Sequence, residues 1–219
     1  MSDSASRTDR VRALYDGIAP RYDRTLDLME RVLFGDGRAW VCRQAGGDVL
    51  EVAVGTGRNL AFYPTGVRFT GIDISPAMLG IARRTAASLG VAADLRVGDA
   101  QALDFADASF DTVVITLGLC TIPDHTRAIA EAARVLRPGG RLLLLEHVRS
   151  TVAPVRLLQL LAEPVTSRWL GDHLLREPLA HLGAAGLVVE QILRSGWGAV
   201  ERVRARKIGT EPFLDGERD

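Results

Sequence analysis

The sequence predicts an α/β fold in which helices cover both faces of a doubly wound, mostly parallel sheet. The first observation is a short run at 49–54 that is apolar apart from Glu51 and ends at Gly55, a pattern typical of a strand buried on both faces. The second is that further apolar runs alternate with segments of helical periodicity, which favours a parallel sheet. The third is that unusual polar residues directly follow strands, at the edge where such sheets bind ligands.

The first two-thirds of the chain supplies most of this sheet. Residues 7–45 have no strong strand signal and are predicted to be helical, with interruptions at Pro20 and at 35–37. The predicted strands are 49–54, 68–73, 93–97, 111–116 and 141–146. The predicted helices begin at about Gly57, at the Ser75-Pro76 cap with a stop at Gly90, and at Pro123-Asp124 with a stop at 137–140.

The last third predicts a helical segment followed by a hairpin. Residues 153–183 are predicted to be helical, and 187–193 and 199–207 are predicted to pair as antiparallel strands. The polar tail from Gly209 is expected to be loose. The length of 219 residues fits one domain.

Composition and charge narrow the class of protein. There are 27 basic and 27 acidic residues, and this balance argues against a dedicated nucleic-acid binder, which usually has a basic surplus. Cys42 and Cys120 are far apart and form no CxxC pair, so we expect neither a disulfide nor a metal site. The N-terminus has no signal-peptide pattern, and the longest apolar run, Leu142–Leu145, is too short for a transmembrane segment. These features predict a cytoplasmic protein.

A glycine loop and an acidic residue predict a nucleoside-binding site. Gly55 and Gly57 lie in the first strand-to-helix turn, where missing side chains let backbone N–H groups approach a ligand. Asp73 ends the next strand, 18 residues after Gly55, where it can accept hydrogen bonds from ribose hydroxyls. A nicotinamide dehydrogenase has a third glycine at the position of Leu60, so that alternative is disfavoured. Glu51 also suits a cationic amino-acid group better than phosphates.

A second acidic residue follows the third strand, in Gly98-Asp99-Ala100. The Asp99 carboxylate can accept from an adenine amino group, and the N–H of Ala100 can donate to a ring nitrogen. An isolated Asp in a loop is usually a turn or cap residue. Here, however, Asp99 follows the glycine loop and Asp73 in chain order, at the end of the third strand. In that position it predicts an adenine clamp.

These motifs, in this order, resemble those of class I S-adenosylmethionine-dependent methyltransferases, near the ubiquinone/menaquinone and phospholipid N-methyltransferase groups. The resemblance covers about residues 12–148 and rests on segments 51–57, 71–75, 98–100, 110–114 and 136–140 and on Tyr15-Asp16 and Tyr22-Asp23. It implies a Rossmann-like, seven-stranded sheet with an antiparallel last strand. It also implies a single domain over 1–219 comprising an N-terminal lid (1–45), a cofactor-binding core (46–148), an acceptor-side segment with the hairpin (149–208) and a tail (209–219).

The resemblance also implies S-adenosyl-L-methionine as cofactor and extends the set of binding residues. Tyr22 on the lid is expected to contact the cofactor. Four further residues are assigned to the same site: Ile74, Met78, Thr116 and Leu117. Ala53 stands where the family usually has glycine, and we expect its methyl group to tighten packing beside the methionine portion.

The expected reaction is an in-line displacement of the methyl group by a nucleophile of a small-molecule or lipid-like acceptor. Alignment alone supplies on the order of 7–11 kcal/mol, whereas a general base adds roughly 10²–10⁴-fold. A base therefore helps an alcohol, phenol or protonated amine but is not obligatory. His147, which follows the fifth strand, and His173 are the candidate bases, and local hydrogen bonding is the alternative role for each. Cys120 is expected to pack rather than react.

The acceptor side is less determined by the sequence. The apolar stretch 152–165 is expected to roof an acceptor pocket, with peripheral membrane contact and plain packing as alternatives. A nucleic-acid methyltransferase is disfavoured, because Thr116-Leu117-Gly118-Leu119 lacks the D/N-P-P-Y-type motif. A protein of this fold with a non-methylating role remains the other alternative.

Overall fold

Seven strands form one sheet at the centre of the computed structural model, which describes residues 2–169 and 171–209, except the side chains of 2–6, 26, 28, 29 and 31. In chain order they are β1 (Asp48–Val52), β2 (Arg68–Asp73), β3 (Ala93–Val97), β4 (Phe110–Thr116), β5 (Leu136–His147), β6 (Leu187–Ser195) and β7 (Val200–Lys207). Their order across the sheet is β3-β2-β1-β4-β5-β7-β6. Strands β1 to β5 run parallel to one another, and β7 is antiparallel to both β5 and β6. The predicted sheet is confirmed.

Six α-helices accompany the sheet in the described residues. They are α1 (Ser2–Leu33), α2 (Gly37–Cys42), α3 (Pro76–Leu89), α4 (His125–Val135), α5 (Ala153–Trp169) and α6 (Leu179–Leu182). The predicted caps of α3 are present, since the Ser75 hydroxyl accepts from the N–H of Met78 and Gly90 adopts a left-handed conformation. Asp124 caps α4 in the same way, through the N–H of Arg127.

Apolar side chains alternate between the two faces of the sheet and form two cores. One core contains Val113 and Leu142 with Ile129 of α4, and the other contains Val114 and Leu143 with α2 and α3 side chains. Because successive strand side chains point to opposite faces, strands apolar at every position need helices on both sides. The sheet order reverses direction beside β1 and β4, which creates a crevice at their carboxyl ends.

Three predictions of local structure were wrong. α1 continues through Pro20, because one missing hydrogen bond does not end a helix that other contacts hold. No α-helix follows β1; only a 3₁₀ turn, Leu60–Phe62, forms before the Pro64–Gly66 turn. The helical segment 153–183 divides into α5 and α6, since Gly171 takes a left-handed conformation between them. Of the predicted tail, residues 210–219 lie outside the described residues.

Candidate functional site

Two cavities meet at the carboxyl edge of the sheet. The first, here called the edge cavity, lies beyond β1, β2, β3 and β4. Ten of the predicted binding residues line it: Tyr22, Ala53, Gly55, Asp73, Ile74, Met78, Asp99, Ala100, Thr116 and Leu117. Glu51 and Gly57 do not line it. The sequence therefore brings together at one edge residues that are up to 95 positions apart.

The loop after β1 exposes its backbone to the edge cavity. Gly55 has a φ of 57°, and a Cβ built there would meet no atom within 4 Å, so the main chain is open to a ligand. Gly57 has a different role. A Cβ there would lie 2.8 Å from a Leu60 methyl group and 3.3 Å from the Cα of Ala82, so this glycine lets the loop pack against α3.

The departure at Ala53 has a structural counterpart. Ala53 adopts a φ of 58°, a left-handed conformation that normally favours glycine. A Cβ on Gly118 would lie 2.9 Å from the Cβ of Ala53. Gly118 therefore leaves the space that the Ala53 methyl group occupies, and the two positions are sterically linked across β1 and β4.

Two carboxylates lie at the strand ends of the edge cavity. Asp73 accepts hydrogen bonds from the N–H of Gly55 (2.8 Å) and of Ser75 (2.9 Å). Burial raises the pKa of Asp73, and these backbone donors only partly oppose the increase. Asp99 accepts from the N–H of Gln101 and from its side-chain amide, both at 2.9 Å. Both carboxylates are thus held in fixed orientations before any ligand binds.

Glu51 lies beneath the edge cavity rather than in its wall. Its carboxylate is buried and accepts from the Asn59 amide and the Tyr63 hydroxyl, each at 2.8 Å. Burial raises the pKa of Glu51 to about 7, although both donors and Arg38 oppose the increase. The Asn59 amide also donates to Thr116, which lines the edge cavity. Glu51 is therefore linked to the cavity wall only through the Asn59 side chain.

Acidic residues of α1 hold this helix across the loops of the edge cavity. Asp16 accepts from the Ser75 hydroxyl (2.5 Å) and the N–H of Ala77 (3.1 Å), at the N-terminus of α3. Asp23 accepts from the Thr56 hydroxyl (2.8 Å) in the loop after β1. Tyr15 and Tyr22, the residues that precede these acids, line the edge cavity.

Arg38 is a wall residue that the sequence analysis missed. Its guanidinium makes two hydrogen bonds with Glu30 (2.7 and 3.0 Å) and donates to Asn59 and Thr116 (3.0 and 3.1 Å). It brings positive charge to the β1 and β4 side of the edge cavity, whose wall also includes Arg58 of the loop after β1. Nothing in its sequence spacing marks it, because α2 follows no nucleoside-binding pattern.

The second cavity, here called the apolar cavity, has a volume of about 710 Å³ and lies between α1 and the end of β5. Its wall includes Ile18, Pro20 and Phe34. Four residues line both cavities: Tyr15, Tyr22, Leu117 and Thr121. The two cavities therefore adjoin at this group of side chains.

His147 forms a pair with Asp172 in the wall of the apolar cavity. The Nε2 atom of His147 lies 2.9 Å from an Asp172 carboxylate oxygen. Burial lowers the pKa of His147, but Asp172, together with Glu146 and Glu163, raises it by more, so the net pKa lies above the usual value. The Nδ1 atom is buried and has no hydrogen-bond partner among the described residues. Asp172 was not predicted, since it lies 25 residues from His147 in a segment without a motif.

The other candidate base lies elsewhere. His173 pairs with Glu163 of α5 through Nδ1 (3.0 Å) and lines neither cavity.

Cys120, His147 and Asp172 each place one ligand atom within 4.8 Å of the others, a spacing that could hold a metal ion. Burial raises the pKa of the Cys120 thiol, which keeps it protonated and favours packing over nucleophilic attack.

The expected roof over the acceptor pocket is wrong. No residue of 152–165 contributes to the described walls of either cavity, and no residue of α5 is buried. The side chains of α5 that hydrogen-bond to the body are those of Gln159 and Glu163, and its large apolar residues other than Val155 face outward.

Comparison with known proteins identifies the family. Residues 50–144 match the family described as "Methyltransferase domain". A demethylmenaquinone methyltransferase of Renibacterium salmoninarum is 37% identical over 158 residues, which cover 68% of this chain and 64% of that protein. A phosphatidylethanolamine N-methyltransferase of Cereibacter sphaeroides is 40% identical over 116 residues, covering 52% of this chain and 57% of that protein. The chain thus spans less than two-thirds of the length of these relatives.

A solved structure extends the similarity beyond the matched domain. An S-adenosylmethionine-dependent methyltransferase of Methanosarcina mazei superposes with a TM-score of 0.62 at 26% identity, covering 76% of this chain and 94% of that one. The matched domain contains most of β1, all of β2 to β4 and most of β5, and β1 to β4 are the strands at whose ends the edge cavity lies. By its sheet, its matched domain and these similarities, the chain has the fold of the class I S-adenosylmethionine-dependent methyltransferases and contains a methyltransferase domain.

Proposed function

We propose that the protein transfers the methyl group of S-adenosylmethionine to an apolar, quinol-like acceptor, with His147 as the general base. The observation that carries this proposal is the adjacency of the two cavities. One has the polar groups that a nucleoside needs, and the other is mainly apolar and has a histidine–aspartate pair in its wall. The relatives named for demethylmenaquinone support the choice of acceptor.

The edge cavity fits the cofactor of this family. The open backbone at Gly55 fits the close approach of the methionine portion, and the fixed Asp73 carboxylate fits two ribose hydroxyls. Asp99 and the N–H of Ala100 are suited to the adenine edge. The guanidinium of Arg38, beside Thr116, is suited to the carboxylate of the methionine portion.

The cofactor supplies an electrophilic methyl group: the bond from its carbon to the acceptor forms as the carbon–sulfur bond breaks. The protein aligns the reactants at the side chains that both cavities share, and Tyr22 and Leu117 define this boundary. The Asp172 carboxylate, 2.9 Å from Nε2 of His147, favours the tautomer with its hydrogen on Nε2, which leaves the unpartnered Nδ1 to take the proton released by the acceptor. Asp172 then stabilises the imidazolium that results.

Glu146 fixes the loop that carries this boundary. Its carboxylate is buried, and one oxygen accepts from the N–H groups of Gly118 and Leu119, both at 2.9 Å. The preceding residue, Leu117, has a φ of 53°. This carboxylate therefore holds in place a turn that brings Leu117 between the cavities at some cost in backbone strain.

The proposal is tested by following methyl-labelled cofactor into candidate acceptors. Purified protein is given a short-chain demethylmenaquinol or phosphatidylethanolamine in detergent. We expect label in the quinol, and a fall in kcat of roughly 10²–10⁴-fold in His147→Asn with cofactor affinity unchanged. Addition of EDTA should leave the rate unaffected, because the proposed step uses no metal.

The matched control is His181→Asn, since His181 contacts the His125 ring edge to face and lines neither cavity. Its kcat should equal that of the wild type. Label entering only phosphatidylethanolamine, or an unchanged kcat in His147→Asn, would contradict the proposed acceptor or the proposed base respectively. Label in neither compound would reject the acceptor class.

A further inference from the structure

The helix α5 is attached to the protein by polar side chains. The Gln159 carboxamide accepts from the N–H of Ser150 (2.8 Å) and donates to the carbonyl of Val148 (2.9 Å). One turn later, Glu163 accepts from the N–H of Leu174 (2.7 Å) and pairs with His173. The face of α5 that contacts the body is thus the polar face, the reverse of an ordinary surface helix.

The opposite face of α5 presents large apolar side chains to the surroundings. Leu158 is 67% exposed, Leu161 is 70% exposed and Trp169 is 71% exposed. Together with Leu157 and Val165 they recur every three or four residues, so they form one stripe along the helix. A continuous exposed stripe of this kind marks an interaction site.

A second exposed tryptophan lies beside the beginning of α5. Trp197 is 70% exposed and has a φ of 53°, in the turn between β6 and β7. The Ser150 hydroxyl donates to the Trp197 carbonyl (2.6 Å), and a Cβ on Gly198 would overlap Thr151. The turn therefore packs against the residues that lead into α5. Trp197 is thus a non-glycine residue in a strained turn, and its indole is exposed. Strain of this kind occurs at binding sites, so we expect the indole to contact a partner.

The charges of α5 indicate what covers the stripe. Its acidic residue, Glu163, is engaged on the inward face, and Arg156, seven residues earlier, lies on that same face and is half-buried, so the exposed charge of the helix is that of Arg168. Leucine and tryptophan with flanking arginine are typical of helices that lie in the interface of an anionic bilayer. No helix in residues 2–169 and 171–209 is long and apolar enough to cross a membrane.

We propose that α5 and the Trp197 turn form a docking surface for an anionic lipid bilayer, with the helix lying in the membrane plane. The segment leaves the apolar cavity at His147 and returns to it at Asp172, so both of its ends are tied to that cavity. Docking would place the apolar cavity next to the membrane that holds lipid-like compounds. The docking inference itself does not rest on the proposed function, since binding can be measured without methyl transfer.

The test is flotation of the purified chain with vesicles of equal parts phosphatidylcholine and phosphatidylglycerol. The double variant Leu158→Glu/Leu161→Glu should partition at least roughly tenfold more weakly than the wild type. Leu89→Glu is the matched control, since Leu89 is also an exposed leucine on a helix, α3, and this variant should float like the wild type. Because all three leucines are exposed, the melting temperatures should stay within a few degrees of each other.

A second readout locates the contact on the protein. Brominated phosphatidylcholine in the vesicles should quench the fluorescence of the wild type, and Trp169→Phe/Trp197→Phe should lose most of that quenching. The remaining tryptophan, Trp40, packs against one of the cores. Equal flotation of the wild type and the leucine variant would overturn the proposal. So would a wild-type dimer, seen in sedimentation velocity, that ignores vesicles and dissociates in the leucine variant.

Discussion

The variant Glu51→Gln should make the protein more stable at alkaline pH and leave its stability unchanged at acidic pH. Glu51 is fully enclosed beneath the edge cavity, and burial raises its pKa from 4.5 to about 7. A glutamine can keep both contacts, because its carbonyl accepts from Asn59 and its amide can donate to the Tyr63 oxygen. The substitution therefore removes the ionisation while retaining the shape and the hydrogen bonds.

The sign and size of the effect follow from proton linkage. Below pH 4.5 the folded and unfolded wild-type chains both hold the Glu51 proton. Between pH 4.5 and about 7 the unfolded chain ionises while the folded chain does not, so wild-type stability falls as pH rises through this window. At about 1.4 kcal/mol per pH unit, the loss amounts to roughly 3 kcal/mol above pH 7. The Glu51→Gln variant has no ionisable group at this position, so its stability does not fall in this way.

Urea unfolding at intervals from pH 4 to pH 8 measures the effect. The stability difference between Glu51→Gln and wild type should grow from near zero to roughly 3 kcal/mol, with the m-value unchanged. Glu131→Gln is the control of opposite sign, since Arg134 lowers the pKa of Glu131 and the variant should be less stable at neutral pH. Parallel pH profiles for wild type and Glu51→Gln would refute the linkage and show that Glu51 ionises normally in the folded protein.

Three further variants test the two cavities. Asp73→Ala should weaken cofactor binding by at least roughly tenfold in calorimetry, whereas Asp104→Ala, on an exposed residue, should not; equal affinities would remove Asp73 from the site. Ala53→Gly should raise the unfolding free energy by about 0.5–1 kcal/mol in urea, because it relieves a positive φ; a decrease would mean that the methyl contact with Gly118 outweighs the strain. Asp172→Asn should shift the acidic limb of the pH dependence of kcat/KM to lower pH, because it removes the carboxylate that raises the pKa of His147; an unmoved limb would exclude His147 as the titrating base.

The edge cavity was predictable because its signals are local. Gly55 and Asp73 each follow directly from a strand that the sequence identifies, and parallel strands bring their carboxyl ends to one edge. The geometry then needs no long-range information. Arg38 could not be found in this way, because it enters the wall from α2 through its contacts with Glu30 and Thr116, which lie in other elements.

The apolar cavity and α5 show what local patterns leave open. The sequence correctly predicts that residues 153–165 are helical, but their apolar residues do not say whether the protein or something outside it covers them. The orientation of the helix is set by the hydrogen bonds of Gln159 and Glu163. Their partners are backbone groups of Val148, Ser150 and Leu174, which lie outside the helix. The same limit applies to His147, whose position after β5 was informative but whose partner came from beyond α5. The end of a strand can therefore indicate a candidate base. Only the folded chain shows that Asp172 lies beside His147 and that one ring nitrogen has no hydrogen-bond partner among the described residues.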